Sequence, residues 1–309
     1  MSTPSSPASA LAGTARAAAL AVAPYLRAAV RTVDSFETKT DFHDPVTVHD
    51  TAVEGALRTI LATAVPGSRV LGEETGASAL DPATASALPA GIGMPTGPEW
   101  DAARAALDGF GARVRWIVDP IDGTANFASG LPWFNTSIGC ELDGEVVAGI
   151  VCAPLLGELF LADDSGAVIE DEEGVRPIDA RGPKEESRAV INTYYPGARA
   201  LLCDPEAALE RERRIIGAFQ STRRLGAAAL DLAYVAAGRL GAMMGTNFKP
   251  WDVAAGIFIL RAAGGNALNV DLGTDLPDGL RPGVVASGAG FLAPTARAVM
   301  LEVAGSWTR

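Results

Sequence analysis

Carboxylates dominate the chemistry available to this chain. Four acidic segments, Glu73-Glu74, Asp119-Pro120-Ile121-Asp122, Asp252 and Asp50, each fall where the sequence reads as the end of a strand or the start of a helix. Such places are where the sites of α/β proteins collect. If Glu73, Asp119, Asp122 and Asp252 converge, they make an all-oxygen cage suited to Mg2+ or Mn2+. Two carboxylates about 5 Å apart repel by about 3 kcal/mol even at an effective dielectric of roughly 20, so several together call for bound cations. Zinc is a poor fit, because the chain has 2 histidines, His43 and His49, and neither sits in a metal-ligand spacing.

Asp122-Gly123-Thr124 adds a second ingredient. Glycine permits close backbone approach, and the residues after it can start a helix whose free N–H groups face an anion. Metals on one side and a helix start on the other describe a phosphoryl-transfer site. Taken singly, each segment has a plainer reading: Asp119-Pro120 as a turn, Asp50 and Asp252 as helix caps, Glu73-Glu74 as a solvated loop. Only their combination points to chemistry.

The elements that must hold these residues follow from pattern. An Ala/Leu/Val-rich run over 10–33 reads as a helix that Pro24 should kink or split, after a frayed Ser/Pro-rich start over 2–8. A second helix begins at Thr47, with Asp50 at the capping-box position, and ends at Pro66-Gly67; Val53, Leu57, Ile60, Leu61 and Ala64 form its apolar stripe. Strands are expected at Arg69–Leu71, which delivers Gly72-Glu73-Glu74, and at Val114–Val118, which delivers Asp119. Between them, 77–112 is rich in Ala, Pro and Gly, with one short helix around Glu99–Leu107, and reads as an insertion. Asp143-Gly144 between Thr136–Leu142 and Val146–Cys152 signals a hairpin, and the meander continues through 159–161 and 168–170.

Beyond it, strands at 189–194, 222–225, 240–244, 266–270 and 284–287 alternate with helices at 205–219, 226–237 and 253–263, the last stopped by Gly264-Gly265. Helices alternating with strands in both halves give an α/β (α+β) chain of two layered parts, 1–155 and 156–309, the first carrying most of the acidic residues and the second Asp252.

With 309 residues the chain can bury a large core without staples, and 48% apolar against 20% charged residues is a globular composition. A net charge of −12 argues against a nucleic-acid groove or an anionic membrane surface. No run of 18 apolar residues suggests a membrane span. Cys140, Cys152 and Cys203 are odd in number and lack C-x-x-C spacing, which suits a reducing, cytoplasmic setting.

Three motifs together resemble the inositol monophosphatase family of metal-dependent phosphatases. Gly72-Glu73-Glu74 looks like its G-E-E segment. Trp116-Ile117-Val118-Asp119-Pro120-Ile121-Asp122-Gly123-Thr124-Ala125-Asn126-Phe127 looks like its central W-x-x-D-P-[IL]-D-G-T-x-N-F motif, and Trp251-Asp252-Val253-Ala254-Ala255-Gly256 like its W-D-x-A-A-G motif. The resemblance implies a layered αβαβα sandwich, also seen in fructose-1,6-bisphosphatases, and a homodimer. It implies two or three Mg2+ ions: Glu73, Asp119 and the Ile121 carbonyl on the first, Asp119, Asp122 and Asp252 on the second, Glu74 beside a weaker third. Gly123 and Thr124 would hold phosphate through backbone N–H groups. Thr124, aided by Asp50 and Glu73, would orient the attacking water, with Lys39 close to phosphate and metals. Gly226-Ala227-Ala228 would face the substrate ring. The implied activity is Mg2+-dependent hydrolysis of a small cyclitol or sugar phosphate, with sensitivity to Li+.

Two departures bear on substrate. Seven residues before Asp252, where inositol-selective members commonly carry a hydroxyl-binding Glu, stands Gly245, and the 44 residues between Glu74 and Asp119 exceed the usual connector. Related phosphatases of histidinol phosphate, fructose-bisphosphate or an aminocyclitol phosphate therefore stay in view. A haloacid dehalogenase-type D-x-D-G-T loop fits worse, because Asp119 and Asp122 are three apart rather than two, and Asp163-Asp164 reads as a hairpin turn. A non-catalytic metal- or sugar-phosphate-binding relative is the remaining alternative.

Overall fold

The structure is a computed structural model that describes residues 4–30, 37–38, 45–84 and 86–307. Helix α1 (Pro7–Ala29) opens it, capped by the Ser6 side chain in a capping box with Ser9. The start is thus ordered from Ser6 onward, and α1 runs through Pro24 without dividing, contrary to the sequence expectation. The missing N–H costs about 3 kcal/mol in a free helix, but here Leu11, Ala15, Ala18, Val22 and Leu26 are fully buried along one face and outweigh it.

A two-residue pairing of β1 (Glu37–Thr38) with β2 (Pro45–Val46) leads to α2 (Val48–Ala64), where the Thr47 cap and Asp50 box form as read. Then come β3 (Arg69–Gly72), β4 (Gly76–Ala79), α3 (Pro98–Ala106) and β5 (Val114–Asp122). The short α4 (Thr124–Ala128) precedes the meander β6 (Asn135–Leu142), β7 (Glu145–Ala153), β8 (Glu158–Asp163), β9 (Gly166–Asp171) and β10 (Gly174–Pro177). Asp143 and Gly144 turn β6 into β7 with φ of 53° and 93°, the left-handed pair a two-residue hairpin needs. Asp163-Asp164 sits in the β8–β9 turn, where the Asp163 carboxylate accepts from the Ser165 N–H and hydroxyl.

Next follow β11 (Val190–Thr193), α5 (Ala198–Cys203), α6 (Pro205–Ala218), β12 (Ser221–Arg223), α7 (Ala228–Ala236), β13 (Ala242–Gly245) and α8 (Pro250–Ala262). The chain closes with β14 (Asn266–Val270), β15 (Gly283–Ser287) and α9 (Pro294–Trp307). The sequence pattern did not predict helix α9, although Pro294 stands at its first position, where proline favours a helix start.

The strands form an eight-stranded sheet, β10-β9-β8-β7-β6-β5-β3-β4, and a five-stranded one, β12-β11-β13-β15-β14. Helices α1 and α2 cover one face of the large sheet, α7 and α8 lie between the sheets, and α6 and α9 pack on the outer face of the small one. This is a layered αβαβα sandwich of mixed α/β architecture. Alternation along β7 shows why: Ala148, Ile150 and Cys152 face the α1–α2 core, while Val151 and Ala153 face the α7–α8 core. Arg16 clamps α1 to β9 by a two-pronged ion pair with Glu170, both contacts at 2.7 Å. No helix among the described residues is long and apolar enough to cross a membrane.

Candidate active site

Glu73 and Asp119 meet because β3 and β5 are parallel neighbours. Gly72 pairs with Val118, and the Glu73 N–H donates to the Val118 carbonyl at 3.2 Å. Glu73-Glu74-Thr75 form the turn from β3 to β4, beside the end of the strand that carries Asp119. Asp119 and Asp122 are three apart, and a regular strand would send them to opposite faces. The register against β6 slips between them, Asp119 opposite Ser137 but Asp122 opposite Asn135, so one extra residue is absorbed on β5. That bulge, within Pro120-Ile121, restores both carboxylates to one side.

Asp252 arrives from the second half. Helix α8 begins at Pro250, three residues earlier than the pattern suggested, and Asp252 accepts the Lys249 N–H at 2.7 Å as a helix cap. Two glycines position that helix on the large sheet. Gly139 and Gly149 are cross-strand partners, and a Cβ on them would stand 3.0 Å from Ala254 Cβ and 2.7 Å from the Ala255 carbonyl oxygen. Helix α8 rests in the notch they leave.

Thr124 follows Gly123, whose φ of 90° is left-handed and whose missing Cβ would lie about 3.0 Å from the Trp133 carbonyl. The same spot is 3.1 Å from Ala227 Cβ and from the Gly226 carbonyl, so Gly226-Ala227-Ala228 is brought against the Asp122-Gly123 turn. The Thr124 hydroxyl lies 3.2 Å from Asp50 Oδ1 and 3.0 Å from the Ile121 carbonyl, either of which can take its proton. Asp50 is fully buried, and its Oδ2 accepts the Thr47 N–H at 2.8 Å and hydroxyl at 2.6 Å. It is a helix cap and a partner of Thr124 at once.

The carboxylates act on one another. Burial first, then the charges of Glu73, Asp122 and Asp252, hold Asp119 well above the ordinary carboxylate range, and it hydrogen-bonds Glu73. Asp122 is pushed up to about 6 by burial, against three donors that favour its charge: Asn135 Nδ2 at 2.7 Å and the N–H groups of Ala228 and Ala229 at 3.0 and 2.8 Å. Burial and Asp122 together raise Asp252. The cage itself is not closed: among the described residues, no group of three or more His, Cys, Asp or Glu stands ready to hold a metal ion. The donor set nevertheless fits a hard divalent cation, being all oxygen, buried and mutually repulsive. Lys39 lies outside the described residues.

Three supporting residues escaped the sequence reading. Glu54 is fully buried, and its carboxylate accepts the Glu74 N–H at 2.8 Å, the Thr75 N–H at 3.2 Å and the Thr75 hydroxyl. It thereby holds the turn that carries Glu73, and Gly72 is glycine because a Cβ there would be 2.6 Å from that carboxylate. The available signal was an acid one turn after Asp50 on an apolar helix face. Asn135 stands one residue before the strand expected from Thr136, and nothing local marks it. Asp231, fully buried in α7, accepts from Trp133 Nε1 at 2.9 Å, Asn192 Nδ2 at 2.5 Å and the Tyr194 hydroxyl at 2.6 Å.

Fold and site define a layered α/β protein with a buried acidic centre beside a glycine turn. The chain belongs to the inositol monophosphatase family, whose model matches residues 8–301. Among similar proteins, an inositol-1-monophosphatase of Mesorhizobium japonicum is 37% identical over 179 residues, 57% of this chain and 64% of that protein. The inositol-1-monophosphatase SuhB of Mycobacterium tuberculosis is 36% identical over 226 residues, 73% of this chain and 68% of that protein. The match thus spans about two thirds of these relatives' length. The crystal structure of the extragenic suppressor protein suhB from Bartonella henselae superposes with a TM-score of 0.72 at 28% identity, covering 93% of this chain and 96% of that one.

Proposed function

We propose that this chain is a Mg2+-dependent phosphomonoesterase that hydrolyses a small phosphorylated alcohol of the cyclitol or sugar class. The observation that carries the reading is the approach of Glu73, Asp119, Asp122 and Asp252, from three separate segments, around the buried Asp119 and Asp122, where like charges add to burial in raising Asp119, Asp122 and Asp252. Glu73, Asp119, Asp122, Asp252 and the Ile121 carbonyl would hold the ions, with Glu74 beside them. Bound there, divalent cations supply a more acidic water and charge relief for the departing alkoxide.

The chain's own residues do the rest. Gly123 and Thr124 hold the phosphate by backbone N–H groups, as in the family's motif. The Thr124 hydroxyl orients the attacking water, and Asp50 orients Thr124. Lys39 belongs to this reading through the family resemblance alone. Gly226, Ala227 and Ala228 leave room for the alcohol. No side chain needs to become phosphorylated, and a water made more acidic by the bound cations needs no histidine base. The family's homodimer is part of this reading, as is a cytoplasmic setting.

The test is phosphate release with Mg2+ from inositol-1-phosphate, histidinol phosphate, fructose-1,6-bisphosphate and sugar monophosphates. Turnover of any of them that is lost on chelation supports the reading. No turnover across the panel would leave a non-catalytic binding protein.

A further inference from the structure

The pair assigned above to the attacking water joins two helix ends that lie far apart in sequence. Asp50 stands in the first turn of α2, and Thr124 opens α4. They meet at 3.2 Å, so a shift of about 1 Å would break the contact. Asn126 ties α4 to the Trp133 and Leu225 carbonyls at 2.7 and 2.8 Å, but neither of these belongs to α2. A second contact, beside the first, joins α4 to α2 itself.

That contact is between rings. His49 precedes Asp50 on α2, and Phe127 follows Thr124 by three residues, on the same face of α4. His49 and Phe127 meet edge to face, with centroids 5.6 Å apart and planes at 71°. Phe127 is fully buried, meets Phe134 in the same way at 5.1 Å, and donates its N–H to the Gly123 carbonyl at 3.0 Å. It cannot move without the turn that carries Thr124. His49, half-buried, is held in turn from α1. The Tyr25 hydroxyl lies 2.8 Å from its Nδ1, and the two rings stand 5.6 Å apart with planes at 61°. Its backbone N–H donates to Thr47 Oγ1 at 3.2 Å, the same hydroxyl that donates to Asp50 Oδ2 at 2.6 Å. One imidazole thus stands between Tyr25 and Phe127, on the residue next to Asp50.

We propose that His49 is a positioning residue: braced by Tyr25 and set against Phe127, its ring fixes the separation of α2 and α4 at which Asp50 meets the Thr124 hydroxyl. It acts through Asp50 and Thr124 rather than on the reacting atoms. This rests on the phosphomonoesterase reading above. The effect is large enough to measure, since a misplacement of about 1 Å can cost a reaction about 10²-fold. Because His49 works through Asp50, its loss should cost no more than the loss of the Asp50 carboxylate.

The experiment measures kcat, KM and Mg2+ affinity of the full chain with the best ester of the panel above. His49→Ala should lower kcat about tenfold, with KM and Mg2+ affinity within about threefold of wild type. His49→Gln keeps an acceptor for Tyr25 but no ring. It should lose as much, and it serves as the second variant should His49→Ala fail to fold. His49→Phe keeps the ring and should return kcat to within about threefold of wild type. In an Asp50→Asn background, His49→Ala should lower kcat by less than about a further twofold, because the contact it sets is already gone. A His49 needed only for the fold would lower Tm and leave kcat as it was. Unchanged kcat in His49→Ala or His49→Gln overturns the proposal. So does a loss carried by KM, a His49→Phe no better than His49→Ala, or full additivity with Asp50→Asn. If the wild type hydrolyses no ester of the panel, the phosphatase reading falls and this inference with it; if it does and the His49 variants match it, this inference falls alone.

Discussion

Asp119 and Asp231 are both buried aspartates, both held above the ordinary carboxylate range first of all by burial, and they differ in company. Asp231 is surrounded by donors: an indole N–H, an amide and a phenol. Asp119 accepts one backbone N–H, from Ile121 at 3.1 Å, and otherwise faces the like charges of Glu73, Asp122 and Asp252. A buried charge with its hydrogen bonds satisfied holds a fold together, whereas a buried charge among its own kind stores repulsion that a cation can release. Two residues of one type, equally hidden from water, are thus distinguished by their partners alone.

The largest effect should come from Asp119→Asn. Turnover should fall below detection, while the metal-free protein melts at the same temperature or higher, since one repelling charge is gone. A lower metal-free Tm would show that Asp119, like Asp231, is there for the fold. Asp231→Ala is the mirror experiment: it strands three buried donors and should cost about 3–5 kcal/mol in chemical denaturation. Unchanged stability would refute the contrast.

Next in size is a pH effect on the chelated protein. Asp122 binds its proton more tightly folded, at about 6, than an ordinary aspartate does at 3.8, so the folded state holds the extra proton between those values. That contribution is fully present below about pH 4 and lost as pH rises through about 6. The chelated protein should therefore melt lower at pH 7.5 than at pH 5.5, and Mg2+ should shrink the difference; equal slopes with and without Mg2+ would argue against cation binding at Asp122. The smallest expected effect is that of Asp50→Asn. It should reduce kcat about tenfold or more with Mg2+ affinity within about threefold, because the residue acts through Thr124. A matching loss of Mg2+ affinity would move Asp50 into the metal site.

Much of this was legible in the sequence because the informative residues are local punctuation. Asp143-Gly144 announces its hairpin, and Thr47 with Asp50 announces its helix. Pattern fails where the cause is long-range. Nothing near Pro24 says that α1 will run on, because the buried Ala face that sustains it is chosen by a sheet far along the chain. The helix that starts at Pro250 was read from Val253, since an acidic third residue looks like a boundary until its capping contact with Lys249 is seen. Asp231 sits in an apolar run, and its three donors come from two distant segments, Trp133 from one and Asn192 and Tyr194 from the other. Glu54 became readable only once the Gly72 turn was folded over it.

Helix α7 leaves one last consequence. Its first two N–H groups hold Asp122, and Asp231, three residues beyond Ala228, holds Tyr194. The first turn of one helix therefore sets the distance between the Asp122 carboxylate and the Tyr194 hydroxyl. Whatever tilts that helix moves the donors to Asp122 and the acceptor of Tyr194 together, so a disturbance at one end of it is felt at the other.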